Sequence, residues 1–277
     1  MSLERRPGRD LIRYRNVLLV AGLGYLLAVG LLATRTDLYT SAQTELFLAI
    51  NGALSLTPAF WLEITAFGNT AVVLPLFSIF IIRKVRVWAA LFGSIPAATF
   101  MTHAGKRLFG VPRPAAVIDP EQFHIAGPIL RGETSFPSGH TITIFTAATV
   151  IVSILLYEKA TKRPRLWAGL AISAAALVGI SRIAVGAHWP LDVLTGAVLG
   201  IIAGFSGVYL TYRYKAWWDW ARKPRGLFVQ AVLVSLFIYV DVGRLDLVSA
   251  YWLATAVAGF VLIQLLSALY SRSWRYE

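Results

Sequence analysis

Cysteine is absent from the 277 residues, which removes disulfide scaffolds, thiol nucleophiles and cysteine-ligated zinc or iron from consideration while leaving the redox compartment open. Histidine occurs four times, so imidazole chemistry is confined to His103, His124, His140 and His188. Charge is scarce as well. Only 14% of residues are Asp, Glu, Lys or Arg, against roughly 25% in ordinary soluble domains, which speaks against a soluble globule. Acid is scarcer than base, 14 residues to 26 for a net charge of +12. A nucleic-acid binder would gather that excess on a polar face, whereas here Lys and Arg punctuate apolar runs, so no nucleic-acid partner is expected. There is no solenoid repeat and no low-complexity tract.

Apolar residues are abundant. They make up 57% of the chain, and at about 20 residues per crossing of a hydrocarbon core about 30 Å thick they suffice for roughly eight membrane spans and little else. A single integral membrane domain over residues 1 to 277 is expected, all-α, a polytopic transmembrane helix bundle. Residues 17 to 34 follow Arg5, Arg6, Arg9, Arg13 and Arg15 and read as an anchor, too long for the apolar core of a cleaved signal peptide. Further runs lie near 69 to 82, 87 to 104, 140 to 157, 166 to 181, 191 to 212, 227 to 240 and 249 to 270. The mixed stretch from Asp37 to Phe67, with Glu45, Asn51 and Glu63, reads as helices lying at the interface. Of the basic residues, 19 fall at the termini and in alternate loops and seven on the other side. That asymmetry predicts cytoplasmic termini, with the loops at 35 to 68, 105 to 139, 182 to 190 and 241 to 248 outside. Trp217, Trp218 and Trp220 beside Lys215 and Arg222 fit an interfacial aromatic belt.

Polar residues collect on the side disfavoured for positive charge, in three clusters: Lys106 to Pro114 (KRLFGVPRP), Phe136 to Thr141 (FPSGHT) and Ser181 to Asp192 (SRIAVGAHWPLD). Each lies at the outer end of an apolar run, so a bundle brings them to one depth. Singly, each has a bland reading: Lys106, Arg107 and Arg113 can snorkel, His140 and Ser138-Gly139 can be a helix start, and His188 with Asp192 can be a local i, i+4 pair. Their joint occurrence is what those readings leave unexplained, since ionisable groups at the hydrocarbon edge are usually kept for a substrate, ion or partner.

Phosphoryl transfer suits this set. Its transition state spreads charge over three equatorial oxygens and calls for several fixed donors around one point. Lys106, Arg113 and Arg182 supply charge, and Ser138 with the Gly139 amide at a helix N-terminus supplies neutral donors. A neutral imidazole attacks near pH 7 when its other nitrogen is held by a carboxylate. His188 with Asp192 meets that need if the chain is helical from Pro190 onward. His140 can then protonate the leaving oxygen and later activate water. No carboxylate-rich cluster offers a two-metal site, and the surrounding cations disfavour zinc on the two histidines and Asp192, so no metal or other cofactor is expected.

These residues resemble the signature of the type 2 phosphatidic acid phosphatase superfamily: Lys106, six residues, then Arg113-Pro114; Pro137-Ser138-Gly139-His140; Ser181-Arg182, five residues, His188, three residues, Asp192. Twenty-two residues separate the first two blocks and 40 the last two. The resemblance implies a six-helix phosphatase core, about 45 to 212, with the last two spans, about 226 to 270, as an extension. It further implies metal-independent hydrolysis of a membrane lipid phosphate or diphosphate through a phosphohistidine on His188, with Asp192 its partner, His140 the acid, and Lys106, Arg113, Ser138, Gly139 and Arg182 the phosphate pocket. Soluble vanadium haloperoxidases share that pocket, but the apolar runs favour the membrane branch. A bacterial inner membrane, with the site outside the cytoplasm, is the expected location. By analogy undecaprenyl diphosphate is the favoured substrate, with lipid A and phosphatidylglycerol phosphate as alternatives. A phosphotransferase, or more distantly a non-catalytic lipid carrier, would keep the same pocket. His103 and His124 match no signature position.

Overall fold

Inside a bilayer every backbone N–H and C=O must be satisfied within its own segment, so apolar runs of this length become helices. The computed structural model describes residues 22–158, 161–245 and 248–273. Among them lie twelve helices: α1 (Gly22–Ala33), α2 (Thr36–Ala53), α3 (Pro58–Ala66), α4 (Thr70–Phe77), α5 (Phe80–Arg83), α6 (Val85–Phe109), α7 (Pro114–Val117), α8 (Gly139–Tyr157), α9 (Pro164–Ala184), α10 (Pro190–Arg213), α11 (Pro224–Val242) and α12 (Ser249–Ser273). Five of them, α3, α7, α9, α10 and α11, open on proline, whose fixed φ and missing N–H suit the first helical position.

Six helices, α6 and α8 to α12, are long and apolar enough to cross a membrane, and the chain is a multi-pass membrane protein. Their bounds lie within five residues of the apolar runs. The run at 69 to 82 departs from a single span: it breaks at Ser78 and Ile79 into α4 and α5. Pro75 offers no N–H to the ladder, and its carbonyl takes both the Ser78 N–H, at 3.1 Å, and the Ser78 hydroxyl, at 2.6 Å, which tightens the turn there. The five N-terminal arginines, Lys159, Asp246 and Arg275 lie outside the described residues.

Helix α10 sits at the centre, packed on α6, α8 and α9. Its glycines make this approach possible. A Cβ on Gly200 would stand 2.6 Å from the Ile142 carbonyl of α8, one on Gly204 2.6 Å from Thr149, and one on Gly207 would run into Ser94 and the Ala90 carbonyl of α6. Small residues let backbones come together where lipid supplies no hydrophobic drive between helices. Helices α11 and α12 form a hairpin that packs on α4; Val234, Val261 and Leu265 close a core with Trp88, Leu91, Val150 and Ile154. Large apolar side chains such as Leu170, Ile172, Phe228, Leu236 and Ile263 remain exposed on the outer faces, as lipid contact requires.

The C-terminal ends of α6 and α9 and the N-terminal ends of α8 and α10 meet at one end of the bundle. Helix α2 crosses that end, presenting buried Tyr39, Gln43, Phe47 and Asn51 four residues apart. Helices α2 and α3 meet at 109°. At the opposite end Glu158 pairs with Arg86 at 2.9 Å and Lys84 at 3.6 Å.

Candidate active site

His188 owes its place to the way α9 ends. Gly186 takes φ +74°, the left-handed conformation that closes a helix. Its N–H donates to the Ile183 carbonyl at 3.0 Å, and Ala187 N–H donates to the Arg182 carbonyl at 3.0 Å, the paired bonds of a Schellman motif. The chain is thereby thrown back over the last turn of α9, and His188 N–H also reaches the Arg182 carbonyl, at 3.2 Å. Trp189 and Pro190 then start α10, which puts Asp192 in its first turn.

Asp192 is fully buried and His188 is 2% exposed. Nδ1 of His188 stands 3.4 Å from Asp192 Oδ2, a loose contact of the kind that tightens when substrate binds. The carboxylate is held by three donors: Tyr39 hydroxyl at 2.7 Å on Oδ1, and Ser135 hydroxyl at 2.6 Å and Trp189 N–H at 2.9 Å on Oδ2. A carboxylate facing Nδ1 favours the tautomer protonated there and leaves the Nε2 lone pair free. Burial pushes the His188 imidazole well below its ordinary value, and the charges of Arg182, Arg113 and Lys106 push it the same way. These surroundings favour the neutral imidazole, the form a nitrogen nucleophile needs.

The second block joins the third through backbone. Ser138 N–H donates to the Asp192 carbonyl at 3.1 Å, and Ser138 is the N-cap of α8, its hydroxyl accepting from the Thr141 hydroxyl at 2.9 Å and N–H at 3.4 Å. Gly139 and His140 thus occupy the first turn, where helix N–H groups have no intrahelical acceptor and the dipole favours an anion. The first block is tied in by Arg113, which donates to the Ala187 carbonyl at 2.9 Å and the Thr134 carbonyl at 3.4 Å, and by the Trp189 indole, which donates to the Pro112 carbonyl at 2.8 Å. Lys106, in the last turn of α6, is half-buried. Arg182, 7% exposed, donates from Nη1 to the Thr65 hydroxyl.

All eight residues singled out in the sequence (Lys106, Arg113, Ser138, Gly139, His140, Arg182, His188 and Asp192) therefore lie at one end of the bundle. Sequence reasoning missed Tyr39, Gln43, Thr65 and Ser135. Gln43 accepts the Leu191 N–H at 2.7 Å, filling an orphan donor at the start of α10. Ser135 was within reach, three residues before Ser138. The others carry no local signal, because their partners are more than 100 residues away. Beside the site, a cavity of about 240 Å³ reaches from Gly68, His103 and His140 along α4, α6 and α8 to Leu91 and Ala147. His103 lines it, whereas His124 serves α2 through its backbone, bonded to Asn51.

Such a cluster can bind a tetrahedral anion between cations and amides, present a neutral imidazole to it and stabilise the resulting cation with a buried carboxylate. The sequence model of the PAP2 superfamily matches residues 87–220. The undecaprenyl-diphosphatase of Sulfolobus acidocaldarius is 30% identical over 171 residues, 61% of this chain and 78% of that protein. The lipid A 1-phosphatase of Porphyromonas gingivalis is 35% identical over 146 residues, 49% of this chain but only 27% of the relative. The crystal structure of Aquifex aeolicus LpxE superposes with a TM-score of 0.52 at 31% identity, covering 60% of this chain and 94% of that one. All three blocks lie within the matched region, and the chain belongs to the PAP2 superfamily, in its branch of membrane-embedded lipid phosphatases.

Proposed function

We propose that the chain hydrolyses a membrane lipid phosphate or diphosphate in two steps through a phosphohistidine on His188. The carrying observation is the buried His188–Asp192 pair at 3.4 Å, its carboxylate held by three donors and its imidazole facing the field of three cations. Nε2 attacks the terminal phosphorus, an N–P bond forms, and the bond from that phosphorus to the leaving oxygen breaks, that oxygen belonging to the lipid in a monophosphate and to the lipid-bound phosphate in a diphosphate. His140, held as imidazolium beside the bound phosphate anion, gives its proton to the leaving oxygen. His140 then takes a proton from water, whose oxygen displaces the imidazole and releases orthophosphate. Lys106, Arg113, Arg182, Ser138 and the Gly139 amide hold the equatorial oxygens, where charge is spread in the transition state. The donors gathered there are cations and amides that suit an anion without a metal bridge. The cavity descending from His140 offers room for the first carbons of the lipid chain.

Undecaprenyl diphosphate is the favoured substrate, supported by the name and coverage of the Sulfolobus acidocaldarius relative; the lipid A 1-phosphatase match keeps a lipid A phosphate as the second reading. The catalytic core runs from about residue 45 to 212, and the site faces outward from the cytoplasm, a reading supported by the distribution of basic residues.

Purified protein in detergent, given undecaprenyl diphosphate, lipid A and phosphatidylglycerol phosphate in parallel, is expected to release most phosphate from the first. Vanadate should inhibit and a chelator should not. His188→Ala should lower turnover by at least about a thousandfold, since the nucleophile itself is lost, with lipid binding retained. Unchanged phosphate release would remove His188 from its role, and phosphorylated lipid in place of free phosphate would make the protein a phosphotransferase.

A further inference from the structure

Helix α3 and the turn that leads from it into α4 lie between the site and the α11–α12 hairpin and bond to both. On the site side, Thr65 accepts the Nη1 hydrogen bond of Arg182, and Gly68 lets His140 approach so closely that a Cβ there would stand 2.7 Å from the His140 Cβ. On the other side, Glu63 accepts three bonds from the start of α12: Ser249 hydroxyl at 2.7 Å, Ser249 N–H at 3.0 Å and Ala250 N–H at 3.3 Å. Asn69 donates to the Tyr251 hydroxyl at 3.0 Å while its side-chain oxygen caps α4 at Ala71 N–H. Ala66 and Val72 pack against Ala250, Tyr251 and Ala254.

From this bracketing we infer that the C-terminal hairpin positions the phosphate pocket, setting the α3–α4 turn and through it Arg182 and His140. The inference rests on the roles of Arg182 and His140 proposed above. Helix α3 has nine residues, too few to hold its own conformation, so its place is fixed by what it packs against. Its site-side contact is with a buried guanidinium whose Nε has no hydrogen-bond partner among the described residues, so the Thr65 hydroxyl fixes which way that long, rotamer-rich side chain points. Its far side receives the N-terminus of α12, where a carboxylate is also favoured by the helix dipole. Glu63, Thr65 and Tyr251 are thus positioning residues, and Tyr251 lies beyond the region matched to the family.

A double-mutant cycle on purified protein in detergent separates positioning from bare stabilisation. Thr65→Val should lower kcat about tenfold, the worth of a hydrogen bond to a charged group, with KM changed by less than about twofold because the loss is felt in the transition state. Thr65→Ser, which restores the hydroxyl, should recover activity to within about threefold of the parent. Glu63→Ala and Tyr251→Phe should each lower kcat by about three- to tenfold, and Glu63→Ala combined with Thr65→Val should cost less than the product of the two single losses. Glu63→Ala and Tyr251→Phe that shift only the thermal midpoint, or multiplicative losses in the cycle, would overturn the inference. Vanadate affinity, measured calorimetrically on the same variants, needs no turnover. A parent protein that binds vanadate yet releases no phosphate from any lipid refutes the proposed activity, and the variants' affinities then decide the positioning role alone, with weakening of about threefold or more expected.

Discussion

At the scale of single residues, Asp192 organises the site. Its side chain takes bonds from Tyr39, Ser135 and Trp189 and faces His188, while its main-chain carbonyl receives Ser138 N–H, so one residue sets both the imidazole and the start of α8. Removing a donor should loosen the carboxylate without emptying the space. Tyr39→Phe is expected to lower kcat/KM by about ten- to a hundredfold, the range of a hydrogen bond to a charged group, as read from phosphate release at subsaturating substrate. Unchanged kcat/KM would make the Tyr39 bond a matter of stability only. The contrast between what sequence revealed here and what it hid is physical. His188 and Asp192 are four residues apart on one turn, so their pairing follows from helix geometry. Tyr39 and Thr65 reach their partners across 153 and 117 residues, and nothing in either local segment marks the meeting.

At the scale of elements, the bundle is held by close backbone approach around α10. Gly207 faces the Ala90 carbonyl and Ser94 of α6 with no space for a side chain, whereas Gly259 on α12 has nothing within 4 Å of where a Cβ would sit. Gly207→Val should therefore force α6 and α10 apart and destabilise the fold by about 1–3 kcal/mol, the usual cost of overpacking, whereas Gly259→Ala should leave the thermal midpoint in detergent unchanged or slightly raised. Equal effects of the two would contradict the packing described. Apolar run lengths located all six long helices because hydropathy dictates them. The same measure could not see that α4 and α5 part at Ser78, a break set by Pro75 and a local hydroxyl bond. Nor could it explain the polarity of α2, whose Gln43 and Asn51 face inward, onto the ends of α9 and α10.

At the scale of the whole molecule, the ends differ. One gathers the imidazoles, the buried carboxylate and the phosphate-holding cations; the other carries Lys84, Arg86 and Glu158 and the Trp-rich turn Lys215–Arg222. Because the chain has no cysteine, its orientation can be tested by adding one at a time. Glu133→Cys, exposed near the site, should react with a membrane-impermeant maleimide in intact cells, and Arg165→Cys, exposed at the start of α9, only after permeabilisation. The reverse pattern would invert the topology proposed from the basic residues.

The clustering of Lys106, Arg113 and Arg182 at that one end carries a final consequence. Like charges crowded at the rim of a poorly polarisable medium repel, and Arg113 and Arg182 are tethered by their own hydrogen bonds and cannot drift apart to relieve it. A tetrahedral dianion entering among them acts as a keystone. The tension that draws a headgroup in is the same tension that resists letting orthophosphate go, and affinity for reactant and for product rise together.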